Sequence, residues 1–122
     1  MPMSNQRTRG TIEDLVGEPL SGVAFVQDYV EFHFDGSVVR SLTMPTVTVG
    51  SALHIFPQPG SRDALCSLIG LVVEEIRVKE NDEIEIVFGG EGHIRIPLKD
   101  ELKNGPEAAH FVPGPNQPIA VW

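Results

Sequence analysis

The sequence predicts a mainly β fold, β-rich α+β. In it two quasi-repeats, each a short helix plus three to four antiparallel strands, form a sandwich or an open barrel. Three observations predict this. The stretch from Leu15 to Pro45 and the stretch from Leu68 to Leu98 place apolar residues and turns in the same order, offset by about 53 positions. Within each stretch apolar and polar residues alternate: Val30-Phe32-Phe34 against Glu31-His33-Asp35, and Ile84-Ile86-Phe88 against Glu83-Glu85-Val87, as half-buried strands do. Finally, 12 glycines and 10 prolines in 122 residues suit a turn-rich β protein better than a helical bundle.

In chain order, residues 1–10 are polar, carry Arg7 and Arg9, and read as a loose N-terminal arm. Residues 11–122 read as one domain made of two quasi-repeats, 11–60 and 61–122, because no polar tether separates them. Thr11-Ile12-Glu13-Asp14 has the form of a helix start, with Thr11 as N-cap and Asp14 in the capping-box position. Ile12, Leu15 and Val16 share a face, and Gly17 suits a left-handed cap. The second repeat opens the same way, with Ser61 as cap, a stripe of Ala64, Leu65, Leu68 and Ile69 on a helix over 62–69, and Gly70 at its end.

First strands follow at 20–26 and 72–78, second strands around Val30–Phe34 and Ile84–Phe88, and third strands at 37–44 and 92–98. Asp35-Gly36 is a two-residue hairpin turn. With it Phe32 pairs with Val39 and Glu31 with Arg40. A three-residue loop at Gly89-Gly90-Glu91 pairs Ile86 with Ile94, Ile84 with Ile96, and Glu85 with Arg95. The glycines at 89, 90 and 92 read as hairpin residues needing positive φ. After the third strands the repeats diverge. The first continues through 46–56 as one more strand broken at Gly50. The second runs through a polar segment and Gly105-Pro106-Glu107-Ala108 to a closing strand, Ile119 to Trp122.

The formal net charge of −8 repels phosphate backbones and argues against nucleic-acid binding. No segment reaches the length of a membrane span. Cys66 is the one cysteine, so no internal disulfide forms, which favours a reducing, cytoplasmic setting. The four histidines, His33, His54, His93 and His110, lack metal-ligand spacing, so neither a metal nor another cofactor is expected. Cys66 reads as a small, partly buried side chain, and no serine sits in a nucleophile elbow. Glu74 shares the parity of inward Ile76 and Val78, which requires a bulge or a place at the sheet rim; a buried functional carboxylate is the sharper alternative.

Gly105, Pro106, Glu107 and Ala108, with Trp122 on the closing apolar strand, carry a resemblance to a group of uncharacterised small bacterial proteins with a C-terminal Gly-Pro-Glu-Ala signature. Looser is a likeness to β-rich immunity proteins found beside toxin genes. The resemblance implies a bacterial origin and a β fold, and it transfers no catalytic residue.

Three functions compete. The first is a non-enzymatic protein-binding or regulatory module, of immunity type on the resemblance. Its acidic wet face meets a basic protein partner through Glu75, Glu83, Glu85, Glu107, His110 and Trp122. The second is a small enzyme or ligand-binding barrel with Glu107, His110 and His93 in a cleft between the repeats. The third is a structural homo-oligomer, a homodimer in its simplest form, built through strand edges and the Trp122 end. Activity is expected where the repeats diverge, at 46–56 and 99–122.

Overall fold

The structure is a computed structural model that describes residues 10–90 and 92–122. Apart from Gly10, the expected N-terminal arm lies outside the described residues, as does Glu91. The described residues form ten strands: β1 (Gly22–Val26), β2 (Tyr29–Phe34), β3 (Ser37–Ser41), β4 (Thr46–Val49), β5 (Ala52–Ile55), β6 (Val73–Lys79), β7 (Glu83–Phe88), β8 (Gly92–Pro97), β9 (Ala109–Val112) and β10 (Ala120–Val121). One α-helix, α1 (Ser61–Cys66), lies between β5 and β6, and 3-10 turns cover Ile12–Leu15 and Asp100–Leu102. Among the described residues no helix is long and apolar enough to cross a membrane.

The strands build two antiparallel sheets of five, ordered β1-β2-β3-β9-β10 and β5-β4-β8-β7-β6. Each sheet is thus a three-stranded meander completed by two strands from the other half of the chain. The meander β1-β2-β3 takes β9 and β10, and the meander β6-β7-β8 takes β4 and β5.

Register follows hydrophobic parity. Asp35 (φ 38°) and Gly36 (φ 96°) both adopt the left-handed region that a type I′ turn demands, and Phe32 faces Val39 as the two-residue loop requires. In the other meander Phe88 faces Gly92, Ile86 faces Ile94 and Ile84 faces Ile96. The inward rows Val23–Phe32–Val39–Phe111–Ala120 and Ile76–Ile86–Ile94–Val47–His54 run across the two sheets. Their buried members join one apolar cluster with Leu15, Leu20, Leu65 and Leu68. Phe32, Phe34, Phe88 and Phe111 are fully buried there, each worth about 1.5–3 kcal/mol of transfer free energy.

Where the halves meet, the hydrogen bonds are reciprocal. Gly17 N–H donates to the Val73 carbonyl and Gly70 N–H to the Leu20 carbonyl, both at 2.8 Å. Val73 N–H donates to Glu18 at 2.9 Å and Leu20 N–H to Leu71 at 3.0 Å. Pro19 and Val72 form the bridge between these bonds. Both glycines sit at positive φ, 94° and 96°, which turns the chain out of each helical segment into this clasp.

Several expectations need correction. Residues 46–56 form two strands, β4 and β5, because Gly50 (φ 61°) and Ser51 make a tight turn. The segment beginning at Ala109, not read as a strand, is β9, pairing Phe111 with Val39. Ser61 does not cap α1: Gly60 holds that place, and the Ser61 hydroxyl donates to the Gln58 carbonyl at 2.6 Å. The helix ends at Cys66 instead of reaching 69, leaving Ile69 exposed. Val16 likewise points to solvent, and Cys66 is exposed. Glu74 sits at a bulge in β6, between Val73 and Glu75, and is exposed, so it is no buried carboxylate.

Of the three hairpin glycines only Gly90 (φ 83°) has positive φ. Gly92 is needed for another reason: a Cβ there would lie 2.5 Å from Leu68 Cδ2. Leu68 is buried and has no room to retreat. Gly92→Ala should therefore cost about 1–3 kcal/mol, seen as a lower urea midpoint at unchanged slope.

The exchanged strands make a second prediction. Opening the backbone between Pro59 and Gly60 should give two fragments that lack cooperative thermal transitions alone and regain one when mixed. A fragment that melts cooperatively by itself would show that a meander needs no borrowed strands.

Candidate functional site

The outward rows of the sheets carry the chemistry. In one sheet the row is Ala24–Glu31–Arg40–His110–Val121, and in the other it is Arg77–Glu85–Arg95–Thr46–Ile55. Strand alternation puts a Glu–Arg pair at the same place in both meanders, with different neighbours on each side.

On the first sheet, Arg40 Nε donates to Glu31 Oε2 at 2.9 Å, and His33 Nε2 lies 3.1 Å from Glu31 Oε1. Arg40 Nη1 is 3.0 Å from His110 Nδ1, and His110 Nε2 is 2.6 Å from Glu107 Oε1. An arginine only donates, so His110 Nδ1 accepts and the ring proton sits on Nε2, directed at Glu107. The contacts form one chain, His33–Glu31–Arg40–His110–Glu107. The Arg40 guanidinium also lies 5.2 Å from the centre of the Tyr29 ring.

Beside this network opens a cleft of about 510 Å³. The β1–β2 turn, the segment leading from β3 to β4, Phe56 and residues 104–107 enclose it. The Gly105-Pro106-Glu107 segment thus forms one wall.

On the second sheet Glu85 is the centre and is only 3% exposed. Arg77 Nη1 donates to Oε1 at 2.9 Å; His93 Nδ1 lies 2.8 Å and Arg95 Nη2 3.1 Å from Oε2. Arg77 also grips Glu75 with two nitrogens, at 2.7 and 2.9 Å. Glu83 lies 3.7 Å from Arg95 and 3.8 Å from Lys79. Burial of Glu85 favours its neutral form, but hydrogen bonds from His93 and Arg77 and the charges of Arg95 and Arg77 outweigh it. The carboxyl therefore sits below its ordinary value of 4.5.

The sequence-derived site residues thus fall into three places. Glu75, Glu83 and Glu85 share the outer face of β6 and β7, each held by an arginine. Glu107 and His110 meet beside the cleft. Trp122 is half-buried against the core at the chain's end, its backbone bonded to Ala108 and Ala109. His93 belongs to the Glu85 network, so the trio of Glu107, His110 and His93 is not assembled. No sequence motif marks Asp28, Tyr29, Glu31 and Arg40 as a group. The one signal for them was the Glu31–Arg40 register, which repeats that of Glu85–Arg95.

Among the described residues no group of three or more His, Cys, Asp or Glu side chains stands where it could hold a metal ion. Comparison with protein-family models, curated proteins and solved structures returned no match.

A depressed folded-state value means that the stabilisation by Glu85 is complete above the unfolded value of 4.5 and is lost as pH falls through the lower folded one. Glu85→Gln should cost about 1–3 kcal/mol at neutral pH, since three cationic or donor groups lose their acceptor. Urea melts across the acid range should show the gap to the parent protein closing as pH falls; a constant gap would contradict it.

Proposed function

We propose that this protein is a non-enzymatic module that binds a basic protein partner. The observation that carries the reading is the distribution of unpaired charge. Arg40, Arg77, Lys79, Arg95, Lys99 and Lys103 are each within an ion pair to a carboxylate of this chain. Among the described residues Arg62 alone among the lysines and arginines has no such partner, and its guanidinium lies over the rings of Phe25 and Phe56. Among the described residues the carboxylates Glu13, Asp28, Asp63, Glu74, Glu80 and Glu101 stand exposed with no ion pair. The outward field is therefore negative, which speeds encounter with a cationic surface and disfavours anionic ones.

The pairing also changes which acids serve the reading. Glu75, Glu83 and Glu85 are internally neutralised, so their part is to stiffen the outer face of their sheet. Glu107 is different: among the described residues no lysine or arginine pairs with it, and its side-chain partner is His110. The same proposal takes the two halves as copies of one unit. The reciprocal bonds at Gly17 and Gly70 and the like placement of Glu31–Arg40 and Glu85–Arg95 support it. An immunity-type role and a cytoplasmic setting fit such a module.

Affinity capture from the native host should recover a stoichiometric partner of net positive charge, released progressively as salt is raised. Replacing Glu74 and Glu80 with lysine should weaken capture. Recovery of no stoichiometric basic partner would count against the proposal.

A further inference from the structure

We infer that the cleft beside Glu107 is the docking pocket for a single arginine or lysine side chain of the basic partner, presented between apolar neighbours. The inference rests on the binding reading above and assigns it a place.

The cleft combines two features that one such residue satisfies together. Its floor is apolar, from Val26, Leu42, Met44 and Phe56. Val26 is 42% and Met44 55% exposed, so the floor offers apolar surface to an incoming side chain. Its charged groups are acidic: Asp28 and Glu107 line it beside the neutral Gln27, Tyr29, Thr43 and Asn104, and no lysine, arginine or histidine is among the described lining residues. Among the described residues Asp28 has no ionic partner, and no lysine or arginine pairs with Glu107, whose side-chain partner is His110.

Charge complementarity therefore selects a cation, and the apolar floor selects one on an aliphatic stem. Lysine and arginine carry both, laying the stem along apolar surface while the head meets carboxylates. An anion would meet two carboxylates, and a neutral apolar residue would bury them without a partner. The Arg40 network sets the geometry. By holding His110 in one tautomer it holds Glu107 at the wall, and Arg40 itself is tied to Glu31 and turned onto Tyr29.

The test uses three acetylated and amidated tripeptides, Leu-Arg-Leu, Leu-citrulline-Leu and Leu-Glu-Leu, titrated into the whole isotope-labelled protein and followed by backbone amide shifts. Citrulline keeps the shape of arginine without its charge. The expected result is saturable shifts at residues 27–29, Gly105 and Glu107 with the arginine peptide, much weaker shifts with citrulline, and none with glutamate. Asp28→Asn and Glu107→Gln should each weaken arginine-peptide binding about two- to five-fold, as befits partly exposed ion pairs, while the rest of the spectrum stays unchanged. Equal shifts from the arginine and citrulline peptides would overturn the inference. Shifts confined to the surroundings of Glu74, Glu80 or Glu13 would overturn the pocket and leave the basic-partner reading standing. No shift anywhere with the arginine peptide would overturn both.

Discussion

The clasp between Gly17–Leu20 and Gly70–Val73 is the constraint on which the other features rest. Four backbone hydrogen bonds, given and returned, join the start of one meander to the start of the other. Each glycine turns the chain out of a short helical segment at a positive φ, a conformation costly for any residue with a Cβ. With the meander starts joined in this way, the strand pairs that follow each meander complete the sheet of the opposite half. Neither half then buries its core alone. The inward rows of both sheets end on residues supplied from across the molecule, Phe111 and Ala120 on one side and Val47 and His54 on the other.

This exchange explains why two similar meanders carry different surfaces. The Glu–Arg pair belongs to the meander and occurs in both. Its surroundings belong to the borrowed strands and to the outer meander strand. Where β9 arrives, Arg40 meets His110 and, through it, Glu107 beside a cleft. Where β4 arrives, Arg95 meets the hydroxyl of Thr48 at 3.3 Å, and Arg77 on β6 closes over Glu85. One face thus ends as an ion-pair lattice around Glu85, and the other brings Glu107 to the edge of a cleft. Different tails on similar meanders place that cleft at one end of one sheet.

Much of the frame was legible in the chain. Alternation in Val30–Phe34 and Ile84–Phe88, with Asp35-Gly36 as a turn signal, was enough to set both hairpin registers down to the facing pairs, because a one-residue slip would turn buried phenylalanines and isoleucines to water. The helix ends were less legible. Ile69 and Val16 continue the apolar stripes, yet the chain turns before them to reach the clasp, and long-range backbone bonds outweigh local periodicity. The turn at Gly50-Ser51 is hard to tell from a break within one strand, because β5, short and at an edge, has little hydrophobic patterning to mark it as separate.

The sequence by itself determined the local content: two alternating meanders, their turns, the inward and outward faces, and the Glu–Arg pairs on the outward ones. These follow from side-chain parity and turn chemistry, which act over a few residues. Only the tertiary structure decided which tail joins which sheet, and so that His110 comes to Arg40, that Glu107 stands at a cleft, and that the acids expected on one docking face are already paired. Those outcomes depend on contacts between residues far apart in the chain, such as Arg40 and His110, for which no local pattern exists.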